Sequence, residues 1–171
     1  MGTRDRKKPD LSARPGYITV EGYQRLADEA DRLWNVKRPA VTQALAEAAA
    51  EGDRSENAEY IYRKRQLAEI DRSLRFLRKR LDVLTIVREK PKNDGKIYFG
   101  SYVSLESEAG EIFRYRIVGP DEWEFIPNGI SMDSPMGRVL IGKSVDDEVL
   151  VRRPKGETLF TIIAVSADKN G

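Results

Sequence analysis

The stretch "EGDRSENAEYIYRK", residues 51–64, sets Asp53 and Glu56 three residues apart and follows them with Arg63 and Lys64. Two carboxylates one helical turn apart can jointly hold one hard cation or orient a water molecule. The same pair can instead be a capping box, with Asp53 opening a helix and Glu56 reaching back to it. Residue type and spacing leave both readings open. Behind the acids, residues 60–80 carry Arg63, Lys64, Arg65, Arg72, Arg75, Arg78, Lys79 and Arg80 against only Glu69 and Asp71. A solvated helix face normally mixes signs in i,i+4 pairs. A stripe of one sign suits a polyanion held through its phosphates, the alternative being a merely solubilising face.

Composition narrows the chemistry. The 171 residues include no His and no Cys. Imidazole acid–base catalysis, disulfides, a zinc ribbon and a thiol nucleophile are therefore excluded. Any metal must take oxygen ligands, which points to Mg²⁺ or a similar hard ion. Charged residues make up 34% and the mean hydropathy is −0.57, as expected of a soluble chain. No apolar run approaches the roughly 18 residues that span a bilayer. No signal peptide opens the chain, so a cytoplasmic protein with no membrane partner is expected. Residues 1–90 hold 20 Lys/Arg against 15 Asp/Glu, and residues 91–171 hold 10 against 13. Two units with different partners are implied.

The elements that must carry the acids and cations follow from periodicity. Residues 1–15 are basic and aperiodic and read as a flexible tail. A helix starts after Thr19, its expected N-cap, with Tyr23, Leu26, Ala30 and Leu33 spaced 3, 4 and 3. Pro39 is expected to kink this helix or begin a new turn of it. Leu67, Ile70, Leu74, Leu77, Leu81 and Leu84 form an a/d seam that needs one partner helix. An antiparallel helical coiled-coil hairpin results, over residues 16–90, with its tip at 51–57 and Gly52 ending the first helix. A second helix from Glu56 to Arg88 would make an arm roughly 45–50 Å long. Such a rod has almost no interior for a pocket, so its acids could only complete a site belonging to another molecule.

After a linker at 91–97, strand-like runs take over: "IYFGSYVSLES", "EIFRYRIVG", "EWEFI", "DEVLVRR" and "ETLFTIIAVS". "PKG" at 154–156 reads as a hairpin turn. Ser134, Pro135 and Gly142 read as N-cap, N1 and terminator of a short helix. The fold class is α+β, with an antiparallel-sheet domain over residues 98–168.

Two motifs carry a resemblance. "EGDRSENAEYIYRKRQLAEIDRSLRFLRKRLDVL" resembles the coiled-coil segment of the bacterial Gre transcript cleavage factors, and "SMDSPMGRVLIGKSVDDEV" resembles the signature of their C-terminal domain. The similarity covers residues 16–168, and the basic stripe, "GDRSENAEY" and "RPAVTQ" bring it nearer the GreB branch than the GreA branch. The resemblance implies an accessory factor for bacterial RNA polymerase, with an FKBP-like C-terminal domain. Its coiled coil would enter the secondary channel, where Asp53 and Glu56 help hold Mg²⁺ and the attacking water. The polymerase would then cut the extruded 3′ end of backtracked nascent RNA. Arg63, Lys64, Arg65, Arg72 and Arg75 would contact that RNA. Asp133, Ser134, Pro135 and Met136 would dock on the rim helices of the largest subunit. A monomer is expected, since a self-contained hairpin needs no second chain. The competing expectations are a non-catalytic channel regulator of the same family and a general nucleic-acid-binding coiled-coil module.

Overall fold

The computed structural model describes residues 11–53 and 56–170. Residues 1–10 of the expected tail lie outside the described residues. The chain divides into two compact units, one holding residues 24–84 with the N-terminal segment, the other residues 16–23 with everything from Thr85 onward. Among the described residues, no helix is long and apolar enough to cross a membrane.

A 3₁₀ turn, Leu11–Ala13, precedes β1 (Gly16–Thr19) and α1 (Val20–Arg32). A π-helical segment, Leu33–Lys37, leads into α2 (Arg38–Ala50), which has Pro39 in its first turn. Pro39 thus begins a new helical turn, the second of the two expected outcomes. Its missing N–H falls where α2 starts afresh, and the wider turn ahead of it absorbs the misfit. The partner, α3 (Ala58–Val83), runs 26 residues, about 39 Å at 1.5 Å each. It is shorter at both ends than the Glu56–Arg88 run the seam predicts.

The seam forms from Leu67 to Leu77, while Leu84, its last expected position, lies in the strand that follows α3. Ile70, Leu74 and Leu77 bury against Leu33 and Val41, with Leu26, Ala30 and Leu67 packed around them. Arg38 Nε meets Asp71 Oδ1 at 2.8 Å across the hairpin. Arg80 leaves the expected basic stripe: it is 4% exposed, and its Nη1 donates to the carbonyls of Ser12 and Arg14. Residues 11–14, the end of the expected flexible tail, are thus tied to α3.

Beyond Val83 the β-branched run of β2 (Leu84–Val87) pairs with β1 instead of continuing the helix. The C-terminal unit then builds β3 (Tyr102–Ser107), β4 (Ile112–Val118), β5 (Gly129–Ser131), α4 (Pro135–Leu140), β6 (Glu148–Arg153) and β7 (Gly156–Ser166). The sheet order is β5-β4-β3-β7-β6. All pairings are antiparallel except β4 with β5, so the sheet is mixed where an antiparallel one was expected. Met136 and Leu140 of α4 pack into a core of Ile97, Leu105, Ile117, Phe160 and Ile162.

"EWEFI" is a run of turns, not a strand. The reason is Glu122, which is fully buried. Its carboxylate accepts from Gly119 N at 2.8 Å, Thr19 N at 3.0 Å and Thr19 Oγ1. Thr19 Oγ1 in turn caps α1 by accepting from Gly22 N, as its sequence predicts. A Cβ on Gly22 would lie 1.8 Å from Glu122 Oε2, so only glycine lets the helix start this close to the carboxylate. Glu122→Ala is expected to lower the unfolding free energy by about 2–3 kcal/mol, since orphaned buried donors cost about 1–3 kcal/mol each. Urea unfolding of the full chain measures it. A midpoint equal to the parent's would mean the carboxylate is not what satisfies these donors.

Candidate functional site

The hairpin turn is built by one residue that neither reading of the acids included. Glu51 closes α2, its N–H reaching Ala48 O at 3.3 Å, and Gly52 reverses the chain at φ 145°, a conformation that favours glycine. Asn57 then caps α3. Its backbone is extended (φ −85°, ψ 100°), and its Oδ1 accepts from Tyr60 N at 3.1 Å. Its Nδ2 donates to Ala48 O at 2.6 Å, closing the hairpin against the last turn of α2. The capping-box reading of Asp53 and Glu56 is thereby overturned. Both acids precede the cap, and both are exposed. The signal was in the sequence, because Asn ranks with Asp among the best N-caps and stands directly before "AEY".

Asn57→Ala removes both the cap and the closing bond. It is expected to destabilise the hairpin by about 1–2 kcal/mol, whereas Asn57→Asp keeps the cap and loses only the bond to Ala48. Thermal melting followed by helix signal orders the three proteins as parent, Asp, Ala. An Ala variant that melts with the parent would contradict the cap assignment.

The cations behind the tip divide by environment. Lys64, Arg65, Arg72 and Arg75 are exposed. Arg63 is not a free contact: its Nε meets Glu59 Oε1 at 2.6 Å, its Nη1 reaches Gln66 Oε1 at 3.1 Å, and it lies 5.3 Å from the Tyr62 ring. Arg78 sits 4.7 Å over Trp34, with Arg38 5.4 Å from the same ring. On the opposite helix the Arg32 guanidinium bonds twice to Glu29 and lowers that carboxyl below its ordinary range.

Among the described residues, no group of three or more carboxylates could hold a metal. Mg²⁺ wants six oxygen ligands, so Asp53 and Glu56 fit only as part of a shell completed from elsewhere. In the C-terminal unit, Asp133 and Pro135 are exposed. Ser134 is the α4 cap: its Oγ accepts from Gly137 N at 3.0 Å and donates to Ser131 O at 2.7 Å. Met136 is 8% exposed in the core, so its side chain is withdrawn from any docking surface.

Sequence matches to known proteins extend over nearly the whole chain. The family model "Transcription elongation factor, N-terminal" matches residues 16–86, and "Transcription elongation factor, GreA/GreB, C-term" matches residues 91–167. The chain belongs to the Gre family of transcription elongation factors. It is 55% identical over 160 residues to the transcription elongation factor GreB of Pseudomonas aeruginosa, covering 94% of this chain and 95% of that one. With GreB of Haemophilus influenzae it is 58% identical over 144 residues, 84% and 91% of the two chains. The crystal structure of GreA factor homolog 1 of Thermus thermophilus aligns with a TM-score of 0.40 at 29% identity, over 90% of this chain and 99% of that one. As a Gre-family elongation factor, the chain carries its exposed acids at the turn of the coiled coil and its exposed cations along α3 behind them.

Proposed function

We propose that this Gre-family factor binds RNA polymerase, inserts its hairpin tip through the secondary channel, and completes the polymerase's own site for cleaving the 3′ end of backtracked RNA. The observation that carries the reading is the cap at Asn57, which opens α3 and leaves Asp53 and Glu56 exposed at the turn.

The factor is accessory: the polymerase supplies the remaining ligands and the substrate. Mg²⁺, when bound, polarises the scissile phosphate and lowers the pKa of water. Asp53 and Glu56 would lend carboxylate oxygens to its shell and would orient the attacking water. Lys64, Arg65, Arg72 and Arg75 carry the extruded RNA through its phosphates. Asp133, Ser134 and Pro135 dock the C-terminal unit on the rim helices, with Ser134 acting by holding the loop that presents its neighbours.

The test is transcript cleavage in stalled, backtracked polymerase complexes. Addition of the factor is expected to shorten the RNA from its 3′ end. Less cleavage than polymerase alone would make it an inhibitor of the channel. No polymerase-dependent effect would leave a nucleic-acid-binding module.

A further inference from the structure

The seam of α3 is filled by Leu74 and Leu77, 3% and 8% exposed, yet Phe76 between them is 46% exposed and Tyr62 is 56% exposed. Packing of the hairpin does not account for either ring. Both line one open groove of about 800 Å³ between α3 and the helix opposite. Arg65 and Arg72 line the same groove, so Tyr62, Arg65, Arg72 and Phe76 follow one another at spacings of 3, 7 and 4, a single helical face. The two rings stand about 21 Å apart along the axis. Glu69 is the one acid of α3 in the groove, flanked by the two arginines.

Trp34 makes the contrast. It is 47% exposed, but Arg78 and Arg38 already lie against its ring. Tyr62 carries one cation, Arg63 at 5.3 Å, whereas among the described residues no cation or second ring stacks on Phe76, which is the open ring of the groove. An open aromatic face beside exposed guanidinium groups is the composition of a single-strand binding platform: rings for bases, cations for phosphates.

We infer that this groove is a stacking platform for the bases of single-stranded RNA, with Tyr62 and Phe76 as the rings and Arg65 and Arg72 as the phosphate contacts. The inference rests on the proposed passage of extruded RNA along the arm, and adds that the arm holds bases as well as backbone. Because every base offers a π face, the grip is tolerant of sequence. It would retain a long extruded RNA whatever its composition.

Abasic RNA separates stacking from charge, since it keeps the phosphates and lacks the rings. The full-length factor, Phe76→Ala, Phe76→Leu and Tyr62→Ala are titrated at low salt with a fluorescent single-stranded RNA and with its abasic counterpart. Circular dichroism confirms the hairpin in each variant. A stacked base is worth about tenfold in affinity. The parent is therefore expected to bind base-bearing RNA about tenfold or more tightly than abasic RNA. Phe76→Ala and Phe76→Leu should each lose most of that preference, Leu failing despite its apolar bulk, while abasic binding stays unchanged. Equal affinity of the parent for both RNAs, no measurable binding of either, or variants that keep the preference would each overturn the platform. Variants that bind RNA like the parent but lose polymerase affinity would overturn it in favour of a protein contact. The parent's cleavage stimulation is measured alongside. Its absence sinks the cleavage function, while its presence with an unchanged base preference in the variants sinks the platform alone.

Discussion

Asp53→Asn is expected to lower stimulated RNA cleavage by a hundredfold or more while the hairpin melts within about 0.5 kcal/mol of the parent, as ordinary surface changes do. The two halves of that expectation come from different observations. Stability is spared because Asn57 caps α3 and ties the turn to Ala48. Activity is lost because a carboxylate that helps hold a catalytic cation contributes several kcal/mol to the transition state, and about 2.7 kcal/mol already makes a hundredfold. Asn keeps the size and an acceptor oxygen but lacks the charge that Mg²⁺ requires. Extra Mg²⁺ should restore part of the rate, and Glu56→Gln should behave in the same way. The measurement is cleavage rate against Mg²⁺ concentration, with competition for polymerase checked in parallel. Full activity of both variants at low Mg²⁺ would remove the pair from the chemistry, and it could not be explained away as a helix cap.

Reversing Lys64, Arg65 and Arg72 together to Glu should cost about a hundredfold on deeply backtracked complexes. Each exposed cation–phosphate contact is worth about 1 kcal/mol in watery surroundings, so three approach a hundredfold. Arg63 is left in place, because it already pairs with Glu59 and Gln66 and reversing it would disturb the first turn of α3. The loss should shrink as salt rises, with the slope of log affinity against log salt falling by about 2 for three lost contacts to a single strand. Complexes backtracked by only a few nucleotides should suffer less, since their RNA ends near the tip. An equal loss on short and long extrusions would mean that the stripe is a solubilising surface.

How much of this was legible in the residues alone depends on the range of the interactions involved. Periodicity is local. The spacing of Leu67, Ile70, Leu74 and Leu77 specified a two-helix seam, and the change to strand-like runs after residue 91 marked a second unit. Turn and cap chemistry set by one residue was legible for the same reason: Thr19, Gly52, Ser134 and the turn at 154–156 act as their types require. The tip acids Asp53 and Glu56 and the exposed cations Lys64, Arg65, Arg72 and Arg75 could be named from spacing because residue type and position along a helix place them on the surface.

What needed the tertiary structure was every choice settled by a distant residue. Asp53 and Asn57 are equally good caps by type, and Asn57 is selected because its amide also reaches Ala48 nine residues back. The run Leu84–Val87 could have prolonged a helix but found β1, far back in the chain. Glu122 looked like part of a strand, and the donors of Thr19, 103 residues away, pull it inward and make a turn. Arg80 looked like one more cation of the stripe, and two carbonyls of the N-terminal segment bury it. Met136 stands beside exposed Asp133 and Pro135 in sequence but points into the core. Local pattern limits what each residue is able to do, and a buried polar or apolar group commits only when a partner brought near by the fold satisfies it.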